Sequence, residues 1–191
     1  QAIGANLIHL STDDVFSHHA RQPYNEFEIP TPSTIYGKSK LAGERFVQNL
    51  CPRHVIVRSS WVYGIGKDFV NTILEAANNP SVTSMEVAEN EFASPTSATE
   101  LAKVIEQLID NDCLGIYHAV CGGFCSRFEF AQAILKAIHA KDKLTLKPIS
   151  DSETINYSVL DNMMLRLENF TQPVSWQQAL KDYITTTGGN D

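Results

Sequence analysis

Short apolar runs alternate with amphipathic stretches along residues 1–80, and this alternation leaves the chain few architectures to choose from. Asn6 to Leu10 is an apolar run ending in Ser11-Thr12-Asp13-Asp14, which reads as a buried strand passing into a loop. His54 to Arg58 alternates β-branched residues and reads as the next strand, followed by Ser59-Ser60-Trp61-Val62-Tyr63-Gly64. Between the two strands, Ser33 or Thr34 can cap a helix whose apolar stripe is Leu41, Phe46, Val47 and Leu50, with Pro52 as its stop. A second helix carries Val70, Ile73, Leu74 and Ala77 on one side and ends at Asn78-Asn79-Pro80. Strand, helix, strand, helix in this order implies parallel pairing within an α/β sheet. Open sheets of that kind place ligands beyond the carboxyl ends of their strands, where Thr12 falls.

Past Pro80 the pattern becomes mixed. A short strand around Met85 to Val87 leads to a loop with Ser94-Pro95-Thr96, and a helix follows from about Thr99 to Ile109. Gly115 to Val120 is a further strand. Ser126-Arg127-Phe128-Glu129 has the capping-box spacing and opens a helix to about Ala140, and Ser175-Trp176-Gln177-Gln178 opens a final one. The expected division is a catalytic sheet over residues 1–80 and a smaller mixed α/β lobe over residues 81–191, with the lobe free to interleave with the sheet. The Gly188-Gly189 tail is expected to be loose. No Gly-rich phosphate turn follows a first strand. The nearest string, Gly64-Ile65-Gly66-Lys67-Asp68-Phe69, lacks a third glycine and reads as an ordinary loop before a helix.

Composition removes several function classes. A net charge of −7 and a pI near 5.3, with no Lys/Arg run, argue against nucleic-acid binding. No apolar run reaches the length of a membrane span, and no leader-like segment opens the chain at Gln1, so a cytoplasmic protein without membrane partners is expected. Cys51, Cys113, Cys121 and Cys125 lack zinc-ligand spacing, so reduced thiols and no metal site are expected.

Within the first helix, Tyr36 and Lys40 stand four residues apart and therefore on one face. A neighbouring ammonium stabilises a phenolate and lowers the phenol's pKa towards neutrality, which makes such a tyrosine a proton donor to a carbonyl under reduction. Two solvated surface residues would give the same spacing, so the pair needs support from the rest of the chain.

That support comes from order. STDDVF (residues 11–16), PYNE (23–26), YGKSKLAGE (36–44), RSSWVYG (58–64), DFV (68–70), FASPTSATELA (92–102), GIYHAV (115–120) and YSVLDN (157–162) occur in sequence. Together they resemble the extended short-chain dehydrogenase/reductases and, more narrowly, the dTDP-4-dehydrorhamnose reductase family. The chain is similar to about the C-terminal two thirds of that family's length. The resemblance implies a partial Rossmann-like parallel sheet, with most of the NADP(H) or NAD(H) site lying in βαβ units that these residues do not include. It further implies NADPH-dependent reduction of the C4 keto group of dTDP-4-dehydro-L-rhamnose. Tyr36 would be the general acid, Lys40 would lower its pKa and bind the nicotinamide ribose, and Thr12 would donate to the carbonyl oxygen. Ser11, Tyr36, Lys40 and Ser60 would contact cofactor, and Thr12, Asp14, Trp61 and Phe69 the nucleotide sugar. A homodimer is the assembly the resemblance suggests, and an uncovered sheet edge would favour association.

Departures from the family pattern concern the substrate. Asp14 stands where tyrosine is usual, and Ala93 where glycine is usual. Glu89-Asn90-Glu91 replaces an acidic-acidic-glutamine run. Thr154 and Ile155 stand where an Arg-Pro pair is expected, and an arginine is well suited to phosphate oxygens. The alternative of another class is a non-catalytic regulatory or binding homologue, such as the regulatory subunit of methionine adenosyltransferase. Epimerase or dehydratase chemistry on a nucleotide sugar is a third reading, which RSSWVYG and FASPTSATELA fit less well.

Overall fold

β1 (Leu7–Thr12) passes into a single 3₁₀ turn at Asp13–Val15 and, after an irregular proline-bearing stretch, α1 (Ile35–Leu50) returns the chain to β2 (His54–Ser59). The two strands pair in parallel from Leu7 opposite His54 to Thr12 opposite Ser59. β3 (Val62–Tyr63) and α2 (Phe69–Asn78) come next, then β4 (Ser84–Ala88), β5 (Glu91–Ala93), β6 (Thr96–Ser97) and α3 (Ala98–Asp110). β7 (Gly115–His118) comes back beside β2 in parallel, so the main sheet has the order β1-β2-β7. The chain continues through β8 (Cys125–Ser126), α4 (Arg127–Ala137), β9 (Thr145–Ile149), β10 (Asn156–Tyr157), α5 (Met163–Leu167) and α6 (Trp176–Thr187). The structure is a computed structural model and describes residues 4–150 and 155–187. The Gly188-Gly189 tail and the Thr154 half of the missing Arg-Pro pair lie outside the described residues.

The period-two alternation of β2 decides what each face of the sheet meets. Val55 and Val57 point to Leu101, Val104 and Leu108 of α3 and to Leu165 of α5. Arg58, on the opposite face, donates from Nε and Nη2 to the two Glu44 carboxylate oxygens of α1, at 2.9 and 2.7 Å. Both side chains are at most 2% exposed, so this two-pronged pair fastens α1 to the sheet from inside. Val15, Phe16, Tyr24, Leu41, Val120 and Leu160 complete that side.

The apolar stripe expected on α1 is corrected by this packing. The helix buries Gly37, Leu41 and Glu44, whereas Phe46 and Leu50 are 67% and 64% exposed. Glu44 occupies the sheet-facing position, and Phe46, two residues on, falls about 200° around the helix, on the outer face.

A second core joins α2 to the elements that follow residue 80. Val70, Ile73 and Ala77 of α2 pack with Phe130, Ile134 and Leu135 of α4 and with Trp176 and Leu180 of α6. Beside them β4 pairs in parallel with β9, a strand containing Lys147 and Pro148 that its sequence did not suggest. The capping box expected at Ser126 and Glu129 is present in both directions. Thr34 caps α1 by accepting from Gly37 N–H at 2.9 Å, and Asp68 caps α2. All four cysteines are free thiols, two of them buried. Among the described residues no helix is long and apolar enough to cross a membrane.

Candidate active site

At the carboxyl end of β1 the backbone leaves the sheet, and Thr12 caps the 3₁₀ turn by accepting from Asp14 N–H at 3.3 Å. That turn stacks against the first turn of α1. The approach is so close that a Cβ on Gly37 would collide with the Asp14 carbonyl oxygen. Tyr36, next to this glycine, thereby comes close enough to Thr12 for that hydroxyl to act on the phenol's ionisation. Thr12 is 8% exposed and Tyr36 is 55% exposed, so the pair joins a buried strand end to an open surface.

Behind Thr12 lies Asp13, a buried carboxylate that gathers hydroxyls from three parts of the chain. Oδ1 accepts from Thr12 Oγ1 at 3.0 Å, and Oδ2 accepts from Ser60 Oγ at 2.7 Å and Ser158 Oγ at 2.6 Å. Ser60, expected near cofactor, is 1% exposed and spends its hydroxyl on this carboxylate. Ser11 Oγ is enclosed without a hydrogen-bond partner.

The electrostatics correct one expectation. Lys40 shares a face with Tyr36, but its ammonium donates to the Leu10 carbonyl at 2.6 Å. Partial burial and the charges of Asp14 and Asp13 raise the Tyr36 pKa, against the lowering effect of the Thr12 hydrogen bond. The phenol is therefore less acidic than a free tyrosine, the reverse of the shift expected from Lys40. Asp14 is itself raised, first by burial and then by Asp13, with His18 and Arg127 opposing. His18 Nε2 lies 3.2 Å from Asp14 Oδ1.

Next to this group a cleft of about 250 Å³ opens between sheet and lobe, lined among others by Asp13, Asp14, His18, Trp61, Glu91 and Arg127. Trp61 has a left-handed backbone with φ of 42°, an uncommon conformation for a bulky residue and a local strain. Its ring is covered by the Arg127 guanidinium, 3.5 Å from the centroid, and the same cation lies 4.8 Å from the Phe69 centroid. Arg127 meets Glu91 Oε2 at 3.9 Å. Burial lowers its pKa, against the raising effects of Glu91, Asp13 and Asp14. The sequence marked Arg127 only as part of a helix cap, because its partners Trp61 and Glu91 are remote in the chain and no local pattern announces them.

The site residues thus fall into two sets. Thr12, Asp14 and Tyr36 come together, with Lys40 on the open side and the Ser11 hydroxyl enclosed. Trp61 and Phe69 come together around Arg127. Among the described residues no group of His, Cys, Asp and Glu could hold a metal ion. A larger groove of about 1050 Å³ between α3 and α6 contains none of these residues.

Comparison with known proteins bears on the same elements. Residues 1–188 match the RmlD substrate binding domain. The chain is 35% identical over 189 residues to the spore coat polysaccharide biosynthesis protein SpsK of Bacillus subtilis, covering 95% of this chain and 65% of that protein. It is 33% identical to the dTDP-4-dehydrorhamnose reductase of Mycolicibacterium smegmatis, covering 98% of this chain and 60% of that one. The chain therefore spans a little under two thirds of the length of these relatives. The crystal structure of dTDP-4-dehydrorhamnose reductase from Bacillus anthracis in complex with NADP superposes with a TM-score of 0.91 at 36% identity, over 98% of this chain and 67% of that one. The fold built on the β1-β2-β7 sheet and the mixed lobe is thus shared with a known group, and the chain belongs to the dTDP-4-dehydrorhamnose reductase family through its RmlD substrate binding domain.

Proposed function

We propose that this chain is the catalytic and substrate-binding portion of a reductase acting on the C4 keto group of dTDP-4-dehydro-L-rhamnose, with NADPH as reductant. The observation that carries the reading is the meeting of Thr12 and Tyr36 at the carboxyl end of a parallel strand, beside a polar cleft. A bound nicotinamide supplies the hydride. The exposed Lys40 ammonium fits a ribose hydroxyl, and the enclosed Ser11 hydroxyl nearby keeps a hydrogen bond unused. These residues contain no Gly-rich pyrophosphate turn, so the fit extends to the reactive end of the cofactor only.

In this reading Tyr36 is the acid. Its raised pKa keeps the phenol protonated at neutral pH until negative charge grows on the substrate oxygen, which then takes the proton. Lys40, once its ammonium turns from Leu10 towards a bound ribose, would add the positive charge that eases this transfer. Arg127 offers the cleft a guanidinium, and Asp14, Glu91 and Asn156 offer acceptors and donors for sugar hydroxyls. The division at residue 80, a homodimeric assembly and the individual cofactor and substrate contacts belong to the same proposal.

In the full-length protein, Tyr36→Phe is expected to reduce NADPH oxidation with the sugar substrate by on the order of 10²- to 10⁴-fold. Retained turnover would defeat the assignment. A second reading, a non-catalytic binding homologue, is favoured by the Lys40 ammonium resting on Leu10 and by three carboxylates around the cleft. Calorimetric binding of the dTDP-sugar by a protein that never oxidises NADPH would select it.

A further inference from the structure

The Thr12 hydroxyl has one hydrogen and two claimants. In the structure that hydrogen goes to Asp13 Oδ1, a carboxylate with 6% exposure, at 3.0 Å. A hydroxyl whose hydrogen is held this way presents lone pairs elsewhere, and the Asp14 N–H already uses one of them. The expected role of Thr12, giving a hydrogen bond to the substrate oxygen, therefore competes with a buried, negatively charged acceptor. Charge-assisted bonds of this kind are the stronger ones.

Asp13 is in turn held from two directions. Ser60 follows β2 and Ser158 follows β10, and both donate to Oδ2. Ser158 also approaches the Phe92 carbonyl of β5 at 3.4 Å, so the lobe reaches the strand end through one serine. The carboxylate is thus held in place for Thr12 by one donor from the sheet and one from the lobe.

We propose that Asp13 is a positioning residue for the Thr12 and Tyr36 pair: it holds the Thr12 hydrogen away from the phenol, and it is itself fixed by Ser60 from the sheet and Ser158 from the lobe. The proposal rests on the reading of Tyr36 as the acid. The charged groups around it are consistent with this role. Asp14 and Asp13 both act against ionisation of Tyr36, Lys40 shares its helix face, His18 and Glu91 act on Asp14, and Arg127 acts on both Asp13 and Asp14. The Thr12 hydroxyl is the neighbour that lowers the Tyr36 pKa, and its hydrogen is bonded to Asp13.

The test is Asp13→Asn, which keeps the shape and an acceptor while removing the charge. Tyrosinate formation, followed by ultraviolet difference spectra with Tyr36→Phe as the blank, is expected to occur at lower pH in the variant. The alkaline limb of the pH profile for NADPH oxidation should move the same way, and kcat should fall by about tenfold with a much smaller change in KM. A variant that loses thermal stability but ionises Tyr36 at the unchanged pH would overturn the proposal. Should Asp13→Asn fail to fold, the Ser60→Ala and Ser158→Ala pair loosens Asp13 instead. An unmoved tyrosinate titration there would likewise defeat it. Because the spectral titration needs no turnover, an inactive wild-type protein would count against the reductase reading and leave this inference testable.

Discussion

Thr12 has two sides, and they are built differently. On the inner side, Asp13, Ser60, Ser158 and the Arg58–Glu44 pair form a buried polar layer in which carboxylates meet donors at 2.6 to 3.0 Å. On the outer side, Leu7 and Leu10 of β1 are 39% and 48% exposed, and Tyr36 is more than half exposed. β2 has five of its six residues buried and β1 only one. The difference teaches that the inner side of Thr12 has its polar groups paired within the fold, whereas the outer side leaves the Tyr36 phenol open to solvent.

The largest effect should come from breaking the inner layer. Glu44→Gln strands the Arg58 guanidinium in the core, and urea unfolding should register a loss of about 3–5 kcal/mol. A result near zero would mean that water reaches this layer and that the two sides are less distinct than their burial indicates. A pH effect follows in size. His118 has no exposure, and burial together with the nearby Arg58 charge lowers its pKa from 6.5 to about 3. The unfolded chain therefore takes up a proton that the folded one refuses, so stability is full above pH 6.5 and drains away as the pH falls towards about 3. His118→Gln should flatten that acid limb in thermal melts taken across the range. The smallest effect belongs to the outer side. Leu10→Lys should change stability by less than about 0.5 kcal/mol yet reduce self-association seen by light scattering. A large loss of stability would show that the outer face carries packing of its own.

Much of this arrangement was legible in the residues. The α/β alternation, the Thr34 cap and the Ser126 and Glu129 box all follow from periodicity and cap spacing, whereas Thr12 and Tyr36 are joined only by the family resemblance. The failures share a cause. Arg58 in a β-branched strand looks like a strand terminus, and only the fold brings Glu44 to it. β9 contains a proline and a lysine, so its pairing with β4 depends on the lobe around it and overrides local propensity. The Phe46 and Leu50 stripe was read as core because apolar spacing reports a helix face without saying what that face meets. The Asp13 cluster is made by residues 47 and 145 positions away in the chain, a relation no window can contain.

Gly37 adds a consequence of a mechanical kind. The first turn of α1 rests backbone against backbone on the Asp13–Val15 turn, with no side chain between them to act as a cushion. Repacking of Leu41 or Val15 would change how firmly the helix is held, but the height at which it sits is set by the contact of two main chains. The reach from the phenol to the end of β1 is therefore gauged by the contact distance of two main chains, which does not drift with side-chain composition, and the residue that contributes no side chain is the one that sets where Tyr36 stands.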